Sequence, residues 1–360
     1  MQNRTMQQSV TRKFLVPLAF PRLEEAAGKE IHVLAGDVGG TKTNLALFRM
    51  HRLHAEAVHQ TSYPSRSYDS LTAIIKQFLA DFPHTMPDRV CIGVAGPVLK
   101  GKVDLTNLSW ELDSRDIRKA TGIGEVALIN DLESTAYGLA ALQESDLFAI
   151  REGDFDNGGN MAILAPGTGL GEAGLFWNGQ TYHPFATEGG HCDFAPRTDQ
   201  DMALLQHLQE KFDVVSWEHV VSGPGIFNIY TYLREAEKRE EPRWLTEALK
   251  KAGDPTAVIS EAAAAEKAPI CREAMRLFVR YLAHEACNLV LKLKASGGLF
   301  LGGGIPPKIT NMLLEERFYT HYRHCDRMQS LVESVPICVI QNDKTALLGA
   351  AYYGAYGAAG

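Results

Sequence analysis

Hydrophobic and polar positions follow two patterns along this chain, and together they predict strands alternating with helices. Short apolar runs that end at Gly, Pro, Asn or Asp predict strands, and apolar residues spaced three and four apart predict helices. The predicted strands cover residues 31–50 (two strands of a hairpin), 54–63, 89–94, 125–129, 160–165, 172–177, 299–301 and 335–340. The predicted helices cover residues 70–82, 114–121, 132–142, 199–212, 271–293 and 344–355, whereas 106–112 is predicted to be a loop.

Alternating strands and helices predict an α/β fold. Residues 31–50 and 160–177 repeat one pattern, in which an apolar strand, a Gly/Thr turn and an apolar return strand follow one another. This repetition predicts an internal duplication around a central cleft. The expected division is an N-terminal extension of residues 1–30, a small domain of 31–141 plus 341–360, and a large domain of 142–340.

The extension has some features of a secretory signal, because the apolar residues 14–20 follow Arg12 and Lys13. Pro17 interrupts this short apolar run, and no small-residue cleavage site comes after it. We therefore expect an extension that packs against the protein or frays.

Composition excludes several classes of function. The chain has 360 residues, with 43 acidic against 36 basic side chains and a formal net charge of -7. Nucleic-acid binding would need a basic face, and a membrane span would need about 20 consecutive apolar residues. The six cysteines form no Cys-x-x-Cys pair, which favours reduced thiols in a cytoplasmic protein over zinc ligands or disulfides.

The turn of the first hairpin concentrates glycines, a carboxylate and a hydroxyl, at Gly36, Asp37, Val38, Gly39, Gly40 and Thr41. Glycines allow backbone N–H groups to approach a ligand closely, and successive N–H groups form an anion nest. The turn could therefore hold phosphate, with Asp37 directed at the phosphate's metal ion. An ordinary polar hairpin turn explains the same residues equally well.

The second turn contains Gly167, Thr168 and Gly169, and it also contains a G-x-G-x-x-G spacing over residues 169–174, with Glu188 further along the chain. A dinucleotide site would need a helix after this spacing, but the pattern predicts a strand. We therefore favour two Gly/Thr hairpins, one in each half, that hold a nucleotide's phosphate chain from both sides.

Asn130 and Asp131 come directly after a buried strand. A carboxylate at the end of such a strand is well placed to act as a general base. Asp131 could equally cap the helix that begins at Leu132, which is a common role for Asp.

Glu188, His191 and Glu218 lie in Gly-rich loops that suit a sugar. A carboxylate accepts hydrogen bonds from two hydroxyl groups, and His either donates or accepts. The structural alternatives are a buried, hydrogen-bonded His191 and a solvated Glu218. A metal site of one His and two Glu is the other rival, although Glu-x-x-His in a Gly-Gly loop lacks the helical spacing of known metal motifs.

Seven segments occur in the same order as in bacterial glucokinases, and the chain resembles that family over residues 33–354. The segments are GDVGGTKTNLALF, TNLSWEL, INDLESTAYGL, APGTGLGEAGLF, EGGHCDFAP, VVSGPGIFNIY and GLFLGGGIPPK. The family belongs to the sugar kinase, chaperone and actin superfamily. The resemblance implies two actin-like (ribonuclease H-like) α/β domains with a central cleft, a homodimer, and phosphorylation of D-glucose at its 6-hydroxyl by ATP, the first step of glycolysis.

The resemblance also implies roles for individual residues. Residues 36–41 and 167–169 correspond to the two phosphate loops, with Asp37 near Mg²⁺, and Gly302 and Gly303 to the adenosine side. The family's glucose-contacting positions correspond to Asn130, Asp131, Glu188, His191 and Glu218, with Asp131 as the general base.

The chain differs in two respects from a related group of kinases and repressors in the same superfamily. A related group with structural zinc has several cysteines after the Gly-His pair, whereas this chain has only Cys192, so no zinc is expected. Repressors of that group carry a DNA-binding domain, for which residues 1–30 are too few. The remaining alternatives are a kinase of another hexose or an amino sugar, a polyphosphate or ADP donor, and a chaperone-like ATPase, which would not need the sugar loop.

Overall fold

The computed structural model describes residues 16–105, 108–153, 155 and 158–358, so residues 1–15 of the extension and residues 106 and 107 of the predicted loop lie outside it. The described residues form two compact units. The first consists of the described parts of Met1–Phe148, Gln180–Tyr182 and Gln341–Gly360, and the second of those of Ala149–Gly179 and His183–Ile340.

Strands and helices alternate in the described residues, which confirms the predicted α/β class. The strands are β1 (Ile31–Val38), β2 (Lys42–His51), β3 (His54–Pro64), β4 (Arg89–Val94), β5 (Lys102–Leu105), β6 (Trp110–Asp113), β7 (Glu125–Asn130), β8 (Leu147–Arg151), β9 (Met161–Pro166), β10 (Leu170–Trp177), β11 (Tyr182–Thr187), β12 (Gly298–Leu301) and β13 (Ile337–Ile340). The α-helices are α1 (Leu71–Asp81), α2 (Ser114–Thr121), α3 (Asp131–Gly138), α4 (Asp199–Gln209), α5 (Gly223–Glu235), α6 (Arg243–Lys251), α7 (Pro255–Ala264), α8 (Pro269–Leu293), α9 (Thr310–Leu314), α10 (Glu316–Tyr322), α11 (Gln329–Glu333) and α12 (Thr345–Tyr356).

The first sheet has the strand order β3-β2-β1-β4-β7. Strands β1, β2 and β3 are antiparallel neighbours, whereas β4 is parallel to both β1 and β7. Almost every residue of β1 and β4 is buried, because both faces of these central strands are covered. Such strands appear in the sequence as continuous apolar runs, which is why their positions were predictable.

The second sheet repeats this arrangement in the order β11-β10-β9-β12-β13-β8. Strands β9 and β10 form the antiparallel hairpin, and β12 is parallel to both β9 and β13. Each sheet therefore combines a Gly-turned hairpin with two further parallel strands, in agreement with the repeated sequence pattern.

The prediction of a loop over residues 106–112 is wrong at its end, because β6 begins at Trp110 and pairs with β5. Trp110 and Leu112 are buried while Glu111 is exposed. This alternation extends over only four residues, which is too short to distinguish a strand from a polar loop. The prediction also omits β5, β8, β11, α5–α7 and α9–α11.

The described part of the N-terminal extension is packed rather than frayed. Leu18 is buried, and the amide of Ala19 donates a hydrogen bond of 2.8 Å to the carbonyl of Tyr182. The guanidinium of Arg22 binds the carboxylate of Glu125 at the start of β7, with one N–O distance of 3.0 Å. These contacts attach residues 16–30 to the first unit.

Helix α3, which begins at Asp131, is held by very close contact with α12. A Cβ atom at Gly349 would lie 1.7 Å from the carbonyl oxygen of Ser134, and one at Gly138 would lie 2.0 Å from that of Thr345. The two helix backbones therefore touch, and the position of Asp131 depends on this packing.

The substitution Gly349→Ala should lower the free energy of unfolding by about 1–3 kcal/mol, the usual cost of overpacking, because the helices must separate. Urea denaturation measures the effect as a lower midpoint. Gly124→Ala is the control in the same unit, since a Cβ atom there would meet no heavy atom within 4 Å. Equal midpoints for the two variants would contradict the close helix contact.

Candidate functional site

The first Gly-rich turn is a tight hairpin fixed by one serine. The amide of Gly39 donates to the carbonyl of Lys42 at 2.9 Å, and the Ser65 hydroxyl donates to the carbonyl of Gly39 at 2.8 Å. The amide of Ser65 also donates to the carbonyl of Thr41 at 3.0 Å. Among the described residues, the N–H groups of Gly40 and Thr41 have no hydrogen-bond acceptor. These groups are the donors that an anion nest requires.

Asp37 lies near the end of β1, opposite Asn44 of β2. Its carboxylate accepts one long hydrogen bond, of 3.4 Å, from the Asn44 side chain. Burial raises the pKa of Asp37 above its ordinary value, and the hydrogen bond from Asn44 opposes this effect. A buried carboxylate whose charge is offset by so little hydrogen bonding is suited to binding a cation. Mg²⁺ binds through one or two carboxylates together with phosphate oxygens.

The second turn has the same construction. The amide of Gly167 donates to the carbonyl of Gly169 at 2.8 Å, and the amide of Gly223, the first residue of α5, donates to the carbonyl of Gly167 at 2.8 Å. Within the described part of the chain, the N–H groups of Thr168 and Gly169 have no acceptor. Both Gly/Thr turns therefore present two adjacent N–H groups to an anion.

The dinucleotide interpretation of residues 169–174 is excluded by the strand that begins at the end of this turn. Gly174 lies inside β10, where a helix would be needed to hold a pyrophosphate. A Cβ atom at Gly174 would lie 2.2 Å from the ring of Phe185, so close packing explains this glycine.

The third glycine segment lies beside the second turn. Gly303 has φ +76°, and a Cβ atom there would lie 2.5 Å from the carbonyl oxygen of Pro166. A Cβ atom at Gly167 would lie 3.9 Å from the amide nitrogen of Gly304. The predicted adenosine-side residues Gly302 and Gly303 are therefore adjacent to the predicted phosphate turn.

Asn130, rather than Asp131, is the residue that caps α3. The Asn130 side-chain oxygen accepts hydrogen bonds from the amides of Leu132 at 2.8 Å and Glu133 at 3.3 Å, and its amide group donates to the carbonyl of Gly96 at 3.2 Å. Asp131 is the first residue of the helix, and its carboxylate also accepts from the amide of Leu132, at 2.9 Å. The interpretation of Asp131 as the N-cap is therefore wrong.

The predicted sugar loop packs on the start of β10. Residues Gly189–His191 form a 3₁₀ turn, and the side chains of Glu188 and His191 are exposed. A Cβ atom at Gly190 would lie 2.1 Å from the carbonyl oxygen of Leu170, the residue immediately after the second turn. The loop therefore holds Glu188 and His191 beside the second Gly/Thr turn.

Glu218 connects this loop with the turn. Its Oε2 atom accepts a hydrogen bond of 2.9 Å from the amide of Leu170, and a Cβ atom at Gly169 would lie 2.4 Å from the same oxygen. The amide of Trp217 donates to the carbonyl of Cys192 at 2.9 Å. Glu218 is therefore a structured part of the site, which argues against a merely solvated side chain.

The candidate residues thus form one group in each unit. The first unit contains the turn of residues 36–41 together with Asn130 and Asp131, and the second contains residues 167–169, Glu188, His191, Glu218, Gly302 and Gly303. In the first unit, β1 and β7 flank β4, so Asp37 and Asn130 lie at the same edge of the sheet about 10 Å apart.

Sequence reasoning missed two residues that shape the site. Ser65 fixes the first turn, and its position after a strand gave no signal. Glu172 lies beneath the sugar loop with 1% of its surface exposed. The available signal was a lone acid within the apolar strand LGEAGLFW.

Neither disulfides nor metal-binding clusters occur among the described residues. All six cysteines are free thiols. No group of three or more His, Cys, Asp or Glu side chains is arranged to bind a metal ion in the described part of the chain. None of the described helices has the length and apolar character needed to cross a membrane.

Comparison with known proteins shows extended similarity. A family model described as Glucokinase matches residues 34–356. The glucokinase of Nostoc punctiforme is 38% identical over 334 residues, which cover 89% of this chain and 97% of that protein.

Two solved structures illustrate the structural similarity. A glucokinase from an Antarctic psychrotroph superposes with a TM-score of 0.76 at 32% identity, covering 90% of this chain and 98% of the other. A ROK family glucokinase from Streptomyces griseus, in complex with glucose and AMPPNP, has a TM-score of 0.59 at 18% identity and covers 90% of this chain and 98% of its own. At that identity the second similarity concerns the fold alone.

Asp37→Asn should stabilise the protein at pH 7 in the absence of nucleotide and Mg²⁺. A carboxyl group whose pKa is raised by folding contributes most to stability below its unfolded pKa of about 4, and the contribution is lost as pH rises through the folded value. Asn does not ionise, so the variant does not lose stability in this way as pH rises. Its denaturation midpoint should therefore exceed the wild-type midpoint at pH 7, and the two midpoints should be similar at pH 4. Asp69→Asn, at an exposed position in the same unit, is the control. A midpoint below the wild-type value at pH 7 would contradict the prediction.

Proposed function

We infer that this chain, which belongs to the glucokinase family, catalyses the ATP-dependent phosphorylation of D-glucose at the 6-hydroxyl to give glucose 6-phosphate. Family membership rests on the matched residues 34–356 and on the 38% identity to the Nostoc punctiforme glucokinase. The observation that carries the proposal is the contact between the second Gly/Thr turn, the loop of Glu188 and His191, and Glu218. Transfer of a phosphoryl group from the nucleotide to the sugar requires a phosphate-binding turn beside a sugar-binding loop.

The actin-like arrangement is part of this proposal. We propose a small domain of residues 31–141 and 341–360 and a large domain of residues 142–340, with a central cleft, as the family resemblance implies. Each half contains a sheet that combines an antiparallel hairpin with parallel strands. This repetition supports the duplication on which the arrangement depends.

ATP is the proposed phosphate donor. The free N–H groups of Gly40, Thr41, Thr168 and Gly169 would hold phosphate oxygens, and the segment Gly302–Gly303 would approach the adenosine. Asp37 would hold Mg²⁺, which neutralises charge on the phosphates when bound.

The sugar hydroxyls are proposed to bind the polar side chains of the site. Glu188 and Glu218 accept hydrogen bonds from hydroxyls, and Asn130 and His191 either donate or accept. Asn130 is already fixed by three hydrogen bonds, so it would orient the sugar without moving.

Asp131 is the proposed general base. It accepts the proton of the 6-hydroxyl as that oxygen attacks the γ-phosphorus in line, and the bond from phosphorus to the bridging β,γ oxygen breaks with its electron pair remaining on ADP. Asp131 lies in the first turn of α3, where the helix dipole favours the ionised carboxylate that a base requires.

We propose a cytoplasmic homodimer. The free thiols of all six cysteines are consistent with a reducing compartment, and the dimer is implied by the family resemblance. Light scattering on the purified protein measures the mass directly; a monomeric mass at micromolar concentration would reject the dimer.

A coupled assay over a panel of hexoses and phosphate donors tests the function. Glucose with MgATP should give the highest kcat/KM. A higher value for mannose or an N-acetylated amino sugar would favour the alternative substrate, and a higher value for polyphosphate or ADP would replace the donor. ATP hydrolysis that does not depend on any sugar would reject the kinase assignment.

Asp131→Asn should lower kcat by about 10²- to 10⁴-fold, the usual contribution of a general base, while glucose affinity measured by calorimetry stays near the wild-type value. Asp116→Asn, at an exposed position of α2 in the same unit, is the control and should retain wild-type turnover. Near-normal turnover of the Asp131 variant would show that Asp131 is not the general base.

Glu188→Gln should weaken glucose binding by about 10- to 100-fold, because a hydrogen bond to a charged group contributes about 1.5–3 kcal/mol. Titration calorimetry with glucose measures the change. Glu210→Gln, at an exposed position at the end of α4, serves as the control. An unchanged affinity would exclude Glu188 from sugar binding.

A further inference from the structure

Glu172 is a buried acid for which the proposed reaction has no use. It is the third residue of β10 and has 1% of its surface exposed. Its Oε1 atom has no hydrogen-bond partner among the described residues. Burying such a carboxyl group costs free energy, so its presence in an otherwise apolar strand calls for a reason.

Both the side chain and the backbone of Glu172 contact the sugar loop. A Cβ atom at Gly189 would lie 2.0 Å from the Oε2 atom of Glu172, so the carboxyl group lies directly against that glycine. The Thr187 hydroxyl donates to the carbonyl of Glu172 at 3.2 Å and accepts from the amide of Gly189 at 3.3 Å. The segment that carries Glu188 therefore rests on Glu172.

On its other side, Glu172 is close enough to a second buried carboxyl group, that of Glu285 on α8, for each to affect the pKa of the other. Glu285 is fully buried and accepts hydrogen bonds from Lys292 at 2.9 Å and from Asn288 at 2.8 Å. Two neighbouring buried carboxyl groups cannot both ionise without a large cost in free energy. Burial raises the pKa of Glu285, but Asn288 and Lys292 oppose this effect, whereas Glu172 has one unpaired carboxyl oxygen, so we place the proton of the pair on Glu172.

The electrostatics agree with this assignment. Burial and then the negative charge of Glu285 raise the pKa of Glu172 to about 8, while Lys292 lowers it. The titratable groups on the elements packed around Glu172 are Glu285 and Lys292 of α8 and Glu188, His191 and Cys192 of the loop.

We propose that Glu172, in its neutral form, is a positioning residue that supports the loop at Gly189 and thereby orients Glu188 and His191 toward the sugar. This inference rests on the proposed sugar-binding role of the loop. Ionisation of Glu172 places a second negative charge against Glu285, which moves the carboxyl group and the glycine packed on it. Sugar binding should weaken when this happens, whereas the transfer step on bound sugar should change less.

The test compares KM and kcat for glucose from pH 6 to 9.5 in the wild type and in Glu172→Gln. The wild-type KM should rise above about pH 8, by up to about 10-fold per pH unit, as for any single linked ionisation. Gln keeps the shape and a hydrogen-bond donor without the charge, so KM of that variant should stay flat apart from any change due to His191 or Cys192. Glu261→Gln, at an exposed position of α7, is the control and should behave as the wild type does.

Lys292→Met gives a second variant, which shifts the pH dependence instead of removing it. The Lys292 side chain is 48% exposed, so its replacement opens no cavity, but buried Glu285 loses its partner and the unfolding midpoint of the variant should fall. Because Lys292 lowers the pKa of Glu172, removing it should move the rise in KM to higher pH. A rise that stays at the wild-type pH in both variants, or moves to lower pH in Lys292→Met, would overturn the proposal.

Hydrogen exchange of the sugar-free protein separates this inference from the proposed function. At pH 9 the amides of residues 187–192 should exchange faster in the wild type than in Glu172→Gln, and at pH 7 they should exchange equally. If the wild type does not phosphorylate glucose, the proposed function is rejected. The exchange rates of the wild type and Glu172→Gln still test whether Glu172 supports the loop. Equal exchange at both pH values would show that Glu172 does not hold the loop.

Discussion

The hydrogen bond from the Leu170 amide to the Glu218 carboxylate is the contact on which the second-unit site depends. It fixes the Glu218 carboxylate to the first residue after the second Gly/Thr turn, and it is possible only because Gly169 leaves room for the carboxylate. The bond from Trp217 to Cys192 extends the same framework to His191. In the proposed function, phosphate and sugar would be positioned by segments that hydrogen bonds join directly to one another, so that productive geometry would cost little at the moment of reaction.

Sheet topology supplies the rest of the site. In the first unit, β1 and β7 are both parallel to β4, so Asp37 and Asn130 lie near the carboxyl ends of parallel strands at one edge. In the second unit, β12 is parallel to β9, and Gly302 comes after β12 where the second turn comes after β9. Ligands of α/β sheets bind at the carboxyl ends of strands, and each of the two described sheets has such an edge.

The parts of this structure that sequence could predict are those determined locally. The bounds of β4 and α2 agree with the prediction, because one is an apolar run and the other ends at Gly122 in the left-handed conformation. The residues of the first turn could also be predicted from the local sequence. The local sequence did not decide whether they form a phosphate site or an ordinary turn. Family resemblance, rather than local pattern, suggested the roles of the individual site residues.

The parts that sequence could not predict are contacts between distant segments. The sequence indicated Asp131 as the possible cap of α3, whereas Asn130 caps the helix and also donates to the carbonyl of Gly96, which lies on a distant segment. The support of the sugar loop by Glu172 depends on Glu285, which lies on α8, far along the chain. A lone acid in an apolar strand signals some buried polar contact, but its partner is known only from the fold.

Asp37 and Glu172 show how burial of an acid has different consequences in different surroundings. Burial raises the pKa of both. Among the described residues, Asp37 receives only a long hydrogen bond from Asn44, so a cation is the natural way to compensate its charge. Glu172 faces Glu285, whose charge Lys292 already compensates, so a retained proton is the cheaper solution. The neighbours of each acid, rather than its depth, therefore decide whether it serves as a charge for a ligand or as a neutral support.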